Sequence, residues 1–212
     1  LVPFRYYGIY DETDYSGLHI VDGKYNENEL TELYKVSVKR YELIYKYYKK
    51  YNSKRALGFC CSKKHAQRMA EEFCKKGIKA VAVYSGEAEE YTMSRNEAIE
   101  KIKCGEINVI FSVDMFNEGV DIASLDMVMF LRPTESQVVF LQQLGRGLRT
   151  FKGKNYLTVL DFIGNYEKAG KAPLLLSGEK SFGSDKDILH DRIEYPDDCI
   201  VDFDMRLIDM FS

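Results

Sequence analysis

Between residues 55 and 162, short unbroken apolar runs alternate with segments of helical length, and this alternation restricts the fold more than any other feature of the chain. The runs are RALGFCC (55–61), KAVAVYS (79–85), INVIFSV (107–113), DMVMFL (126–131) and NYLTVLDF (155–162). A strand with one wet face alternates apolar with polar side chains, so a run that is apolar throughout has to be buried on both faces. Between these runs lie SKKHAQRMAEEFCKKG (62–77), YTMSRNEAIEKIKCG (91–105) and ESQVVFLQQLGRGLR (135–149), each able to cross over a sheet as a helix. Ser62 stands where an N-cap belongs, and Gly77 and Gly105 stand where helices stop. The order predicts a three-layer α/β/α domain on a mainly parallel sheet.

Outside this block the signals are weaker. Residues 1–29, rich in Tyr, Asp and Gly without a period, read as an extended lead-in from a preceding lobe. Leu30, Leu33, Tyr34, Tyr41, Ile44, Tyr45 and Tyr48 recur at helical spacing and predict one helix from Glu29 to Tyr51. Its mixed tyrosines and lysines suit base stacking, but a tyrosine-faced helix packed on the domain is the preferred reading. The α/β domain is expected to occupy 30–165. Residues 166–212 read as a C-terminal extension, in which 199–211 could form a strand and open a following domain.

Charge and cysteine usage narrow the function. A net charge of −3 argues against coating nucleic acid through bulk charge. Residues 185–212 carry nine Asp/Glu against three Lys/Arg, however, which leaves the body mildly basic and able to form a local basic groove. Five cysteines without C-x-x-C spacing and three scattered histidines form no metal-ligand pattern, and the cysteines read as packing residues. No apolar run approaches the roughly 20 residues of a membrane span, so no membrane partner and a cytoplasmic setting are expected.

The chemistry concentrates in two stretches. In FLQQLGRGLR (140–149), Gln142, Arg146 and Arg149 share one helical face, opposite a stripe of Leu141, Leu144 and Leu148. Paired guanidinium forks suit bidentate grip on phosphate oxygens. Gly145 and Gly147 each cost a helix about 1 kcal/mol relative to alanine, but they let a phosphate approach closely. A solvated, salt-bridged helix face would explain the charges and leave that cost unexplained. In SVDMFNEGVDI (112–122), Gly119 and Asp121 follow a strand end, where open parallel sheets bind ligands.

These stretches resemble the C-terminal RecA-like lobe of superfamily 2 DEAD/DEAH-box-type helicases. QQLGRGLR resembles their motif VI, SVDMFNEGVDI their motif V, and LGFCCSKKHAQRMAEEF their motif IV with its helix, in matching order over residues 54–162. PFRYYGIYDETDYS and LDFIGNY resemble flanks in the bacterial branch that includes restriction-system translocases. The resemblance implies a RecA-like fold and a motor role, with ATP and Mg²⁺ held mainly by the N-terminal RecA-like lobe of the same full-length protein. It makes Arg146 and Arg149 arginine fingers, with Gln142 and Gly145 supporting that end and Gly119 and Asp121 near the ribose. Ser62, Lys63, Ser85, Gly86, Ser112 and Asn117 are the candidates for the nucleic acid backbone, with DNA expected in preference to RNA. The motif V stretch departs from the common form, with Val113 where threonine is usual and Glu118 where arginine is usual.

The chain contains no G-x-x-x-x-G-K-[ST], so no phosphate-cradling loop is present to hold ATP. DETD (11–14) has the look of a DExD box but lacks an upstream phosphate loop and is not read as one. These residues alone are therefore expected not to hydrolyse ATP. The competing readings are a catalytically inactive RecA-like docking module for protein or nucleic acid, and a nucleotide-binding enzyme of small metabolites. The latter would need a glycine loop after the first strand, and CCSKKH is not one.

Overall fold

The computed structural model describes residues 2–116, 123–133, 150, 152–164 and 199–211. Seven strands form one sheet in the order β5-β6-β4-β7-β8-β1-β9, and every neighbouring pair is parallel. They are β1 (Phe4–Tyr10), β4 (Ala56–Phe59), β5 (Ala80–Val83), β6 (Val109–Ser112), β7 (Met127–Phe130), β8 (Leu157–Ile163) and β9 (Ile200–Phe203). Two short strands, β2 (Ile20–Val21) and β3 (Lys24–Tyr25), make a separate antiparallel ladder. The described helices are α1 (Glu27–Val36), α2 (Val38–Lys50), α3 (Lys63–Lys75), α4 (Arg95–Cys104) and α5 (Met205–Phe211).

Every residue of β4, β5, β6, β7 and β8 is buried, as the unbroken apolar runs require. Alternate residues feed two cores. Leu57, Phe59, Ile110, Val128 and Phe130 pack with Ala98 and Ile102 of α4 on one face. Ala56, Val109, Phe111, Met127 and Met129 pack with Ile44 and Tyr48 of α2 and Met69 and Phe73 of α3 on the other. This is the three-layer α/β/α arrangement expected of a RecA-like domain. Cys60 and Cys61 are buried free thiols whose ionisation burial pushes up, consistent with packing roles.

Three expectations are corrected. The lead-in at 1–29 holds β1, which lies between β8 and β9 inside the sheet. Its tyrosines hid it: Tyr6 is fully buried because its hydroxyl donates to Asp161 of β8, so a polar-looking strand is satisfied in the core. The extension also contributes a strand, since β9 pairs with β1 and carries a partly exposed edge. The sheet therefore draws on residues outside the 30–165 boundary at both ends. Finally, the single helix expected from Glu29 to Tyr51 is two. The break falls at Ser37, whose hydroxyl donates to Leu33 O at 2.8 Å. Its β-branched neighbours Val36 and Val38, both largely exposed, add nothing to hold the helix through.

The helix after β5 also starts later than the sequence pattern suggests, at Arg95. Tyr91 O accepts from Ala82 N at 2.8 Å and Met93 N donates to Ala82 O at 3.1 Å, so residues 91–93 lie along the sheet edge. Ser94 then caps α4 by accepting from Glu97 N.

Candidate nucleotide and nucleic-acid interface

The carboxyl ends of the parallel strands all open on one edge, where α/β sheets place ligands. Of the residues expected there, Ser62, Lys63, Ser85, Gly86 and Ser112 are described. Asn117, Gly119, Asp121, Gln142, Gly145, Arg146 and Arg149 lie outside the described residues.

After β4 the chain passes through Cys60 and Cys61 into α3. Ser62 adopts an extended backbone and its Oγ accepts from His65 N at 3.2 Å, forming the N-cap read from the sequence. The same oxygen accepts from Thr31 Oγ1 of α1 at 2.6 Å, and Ser62 is only 6% exposed. Its hydroxyl is thus committed to holding the turn and is not presented at the surface. Lys63, the next residue, is exposed. Its Nζ lies 5.7 Å from the centre of the Tyr84 ring, at the end of β5. Gly86 has φ +128, which favours glycine, and a Cβ placed there would sit 3.2 Å from Lys63 Nζ. The fold thus brings Lys63, Tyr84 and the Ser85–Gly86 turn together from strands that are not neighbours.

Between β4 and β5 runs β6, ending at Ser112, which is in register with Phe59 and Val83. Ser112 is 1% exposed and its Oγ has no hydrogen-bond partner. A buried hydroxyl left unpaired costs about 1–3 kcal/mol, so this atom stands out at the strand ends. Arg132, just past β7, pairs with Asp114 at 3.5 Å.

On the other side of β7, Asp11 follows β1 at the same edge. Its carboxylate accepts from Arg40 Nε at 2.8 Å, from both Thr13 N and Thr13 Oγ1, and from Tyr15 OH at 3.1 Å. Arg40 also donates to Leu131 O at 2.7 Å, and its guanidinium lies over the Tyr34 ring at 3.8 Å. Burial opposes ionisation of Asp11, but Arg40 and the Thr13 hydrogen bonds outweigh it and hold the carboxyl below its ordinary value. DETD is thus anchored structurally through Asp11. Among the described residues, no group of three or more His, Cys, Asp or Glu side chains is placed to hold a metal ion.

Sequence reasoning missed Tyr84 and Arg40. Tyr84 closes the run KAVAVYS and could have been noticed as an aromatic at a strand end. Arg40 carried no signal, because its acid partner lies 29 residues away in a segment read as lead-in.

Residues 39–151 match the family described as helicase conserved C-terminal domain. A 51.5 kDa protein of a Lactococcus phage (isolate 7-9) is 29% identical over 170 residues, covering 80% of this chain and 36% of that protein. IRC3 of Saccharomyces cerevisiae, which carries a provisional ATP-dependent helicase name, is 34% identical over 111 residues, covering 52% of this chain and 16% of IRC3. The chain therefore spans well under half the length of these relatives. Among solved structures, the E. coli DEAD-box protein SrmB bound to regulator of ribonuclease activity A superposes with a TM-score of 0.52 at 17% identity, covering 96% of this chain and 90% of that one. At that identity the likeness concerns the fold alone.

Proposed function

Because the chain belongs to the helicase conserved C-terminal domain family, we propose that it is the C-terminal motor lobe of an ATP-dependent nucleic acid helicase or translocase. The observation that carries this reading at the site is the convergence of Lys63, Tyr84 and Gly86 at one sheet edge. Such an edge suits a phosphate backbone: a lysine supplies charge and a glycine turn permits close approach. These contacts read backbone and not sequence. Ser62 serves them indirectly, by fixing the turn that presents Lys63, while Ser85 and Asn117 are further candidates along the same edge.

The nucleotide half of the proposal rests on the sequence. Arg146 and Arg149 reach the triphosphate of ATP seated with Mg²⁺ on the N-terminal lobe, Gln142 and Gly145 shape that end, and Gly119 and Asp121 face the ribose. Charge spreads over the phosphoryl oxygens during transfer, and an arginine finger stabilises it by a factor of about 10³–10⁵ in rate. Cleft closure on ATP then shifts this lobe along the polymer, and hydrolysis releases it.

The test joins this chain to its N-terminal lobe. Arg149→Ala is expected to cut nucleic-acid-stimulated ATPase turnover by about 10³-fold or more; undiminished turnover refutes the finger assignment. Lys63→Ala is expected to leave basal ATPase intact, weaken DNA binding, and lower the slope of log K against log salt by about one. An unchanged slope removes Lys63 from the interface.

A further inference from the structure

The amino ends of β4, β7, β8 and β1 meet at the edge of the sheet opposite the one that carries Lys63, because these four strands are parallel neighbours. A cleft of about 410 Å³ opens there, lined by the turn between α2 and β4 (51–55), by Ser124 and Asp126 before β7, and by the turn before β8 (152–156). Its cations are Lys54, Arg55, Lys152 and Lys154, and among the described lining residues Asp126 is the one acid. Lys49 and Lys50, both exposed, close α2 immediately before the first of these turns.

This edge differs from the helix surfaces in how its cations are held. On α3, Arg68 and Lys75 pair with Glu71 and Glu72, and on α4 Lys101 pairs with Glu97, so those charges are offset by acids one turn away. At the amino edge, Arg55, Arg5 and Lys50 are held by uncharged groups. Arg55 donates to Ile102 O at 2.9 Å and to Lys103 O at 3.1 Å, at the end of α4. The Arg5 guanidinium lies 3.7 Å from the centre of the Tyr156 ring, and Lys50 Nζ lies 5.3 Å from that of Tyr51. Carbonyl oxygens and ring faces position a cation without cancelling its charge. Lys54 and Lys152 are exposed, and among the described residues neither has an acidic partner. Asp126 does not reach out to them. Its carboxylate accepts from Ser53 Oγ, from Lys54 N at 3.0 Å and from Arg55 N at 3.3 Å, which folds the turn that carries Lys54.

We propose that the amino edge is a second contact surface for a nucleic acid phosphate backbone, with Lys54 and Lys152 as its contacting residues and Asp126 as the residue that positions the first of them. The surface follows from the charges and their anchors; the choice of polymer rests on the reading of the chain as a motor lobe. Lysines act on phosphates as point charges and carry no base readout. The turn that carries Lys152 is open at its tip, since a Cβ at Gly153 would meet nothing within 4 Å. A lipid surface suits the edge less well, because none of the exposed large apolar side chains lines the cleft. The two edges lie at opposite ends of the strands, so they hold different phosphates and their contributions to binding add.

The test measures binding of the 212-residue chain to a short DNA duplex between about 50 and 200 mM salt. The parent is compared with Lys63→Ala, with the pair Lys54→Gln and Lys152→Gln, and with all three substitutions together. Each phosphate contact contributes about 0.9 to the slope of log K against log salt, so the glutamine pair should lower that slope by about two and add to the effect of Lys63→Ala. The pair Lys54→Arg and Lys152→Arg keeps both charges and should keep the slope. If the glutamine pair leaves the slope unchanged while Lys63→Ala lowers it, the amino edge is overturned and the carboxyl edge stands. If only the glutamine pair lowers it, the amino edge stands and Lys63 leaves the interface. A slope lost equally in the arginine pair, or a parent that binds no duplex at the lowest salt, overturns the proposal. So does poly-glutamate that displaces the duplex at equal charge concentration and is itself released by the glutamine pair, which would make the partner an acidic polypeptide.

Discussion

Asp161 shows how one side chain can make a whole fold sensitive to pH. It sits within β8, 4% exposed, with the Tyr6 hydroxyl donating to its Oδ2. Burial raises its pKa to about 7, and the Tyr6 hydrogen bond only partly opposes that shift. A folded-state pKa raised above the unfolded value means that folding favours the protonated acid. The stabilising contribution is therefore complete below about pH 4 and is lost as pH rises through about 7. Its full span is roughly 4 kcal/mol at 1.36 kcal/mol per unit. Asp161→Asn keeps an acceptor for Tyr6 and removes the titration. Urea midpoints should show the parent losing stability relative to this variant between pH 4 and 8; parallel curves would mean that Asp161 does not titrate as assigned.

At the level of elements, the join between β1 and β9 is the most exacting contact. Gly8 of β1 faces Phe203 of β9 so closely that a Cβ there would overlap the aromatic ring, with Leu207 of α5 beside it. Phe203 also packs against Tyr6 at 5.4 Å between ring centres. Gly8→Ala should destabilise by about 1–3 kcal/mol, the usual cost of overpacking. Because β9 is an edge strand, the strain should appear there first, as faster amide exchange across Ile200–Phe203 than across Met127–Phe130. The double variant Gly8→Ala, Phe203→Ala should return part of the loss. If β9 and β7 lose protection equally, the edge does not carry the strain.

Across the whole molecule, Arg40 is the tie. From α2 it reaches Asp11 after β1 and the Leu131 carbonyl after β7, bridging strands that are two places apart in the sheet. Both members of the ion pair are 2% exposed. A buried pair of this kind adds little over apolar packing, but breaking it strands a charge at a cost of about 3–5 kcal/mol. Arg40→Met should therefore lower unfolding free energy by about that amount in guanidinium titrations. Adding Asp11→Asn should recover much of it, since the remaining amide needs no counter-ion. A loss below about 1 kcal/mol for the single variant would show that Asp11 finds water or another donor instead.

What the chain determines by itself is local and periodic. Runs that are apolar at every position, such as AVAV and MVMF, have no solution except burial on both faces, so the parallel sheet and its flanking helices follow from the sequence. The Ser62 cap follows for the same reason, because its hydroxyl and the amide it accepts from lie within one helical turn. Partners far apart in the chain leave no such imprint. The burial of Tyr6 depends on an acid 155 residues away, and that of Arg40 on one 29 residues away. Only tertiary structure could turn a tyrosine-rich opening into an interior strand, because a polar atom is affordable in a core only where the fold supplies its partner.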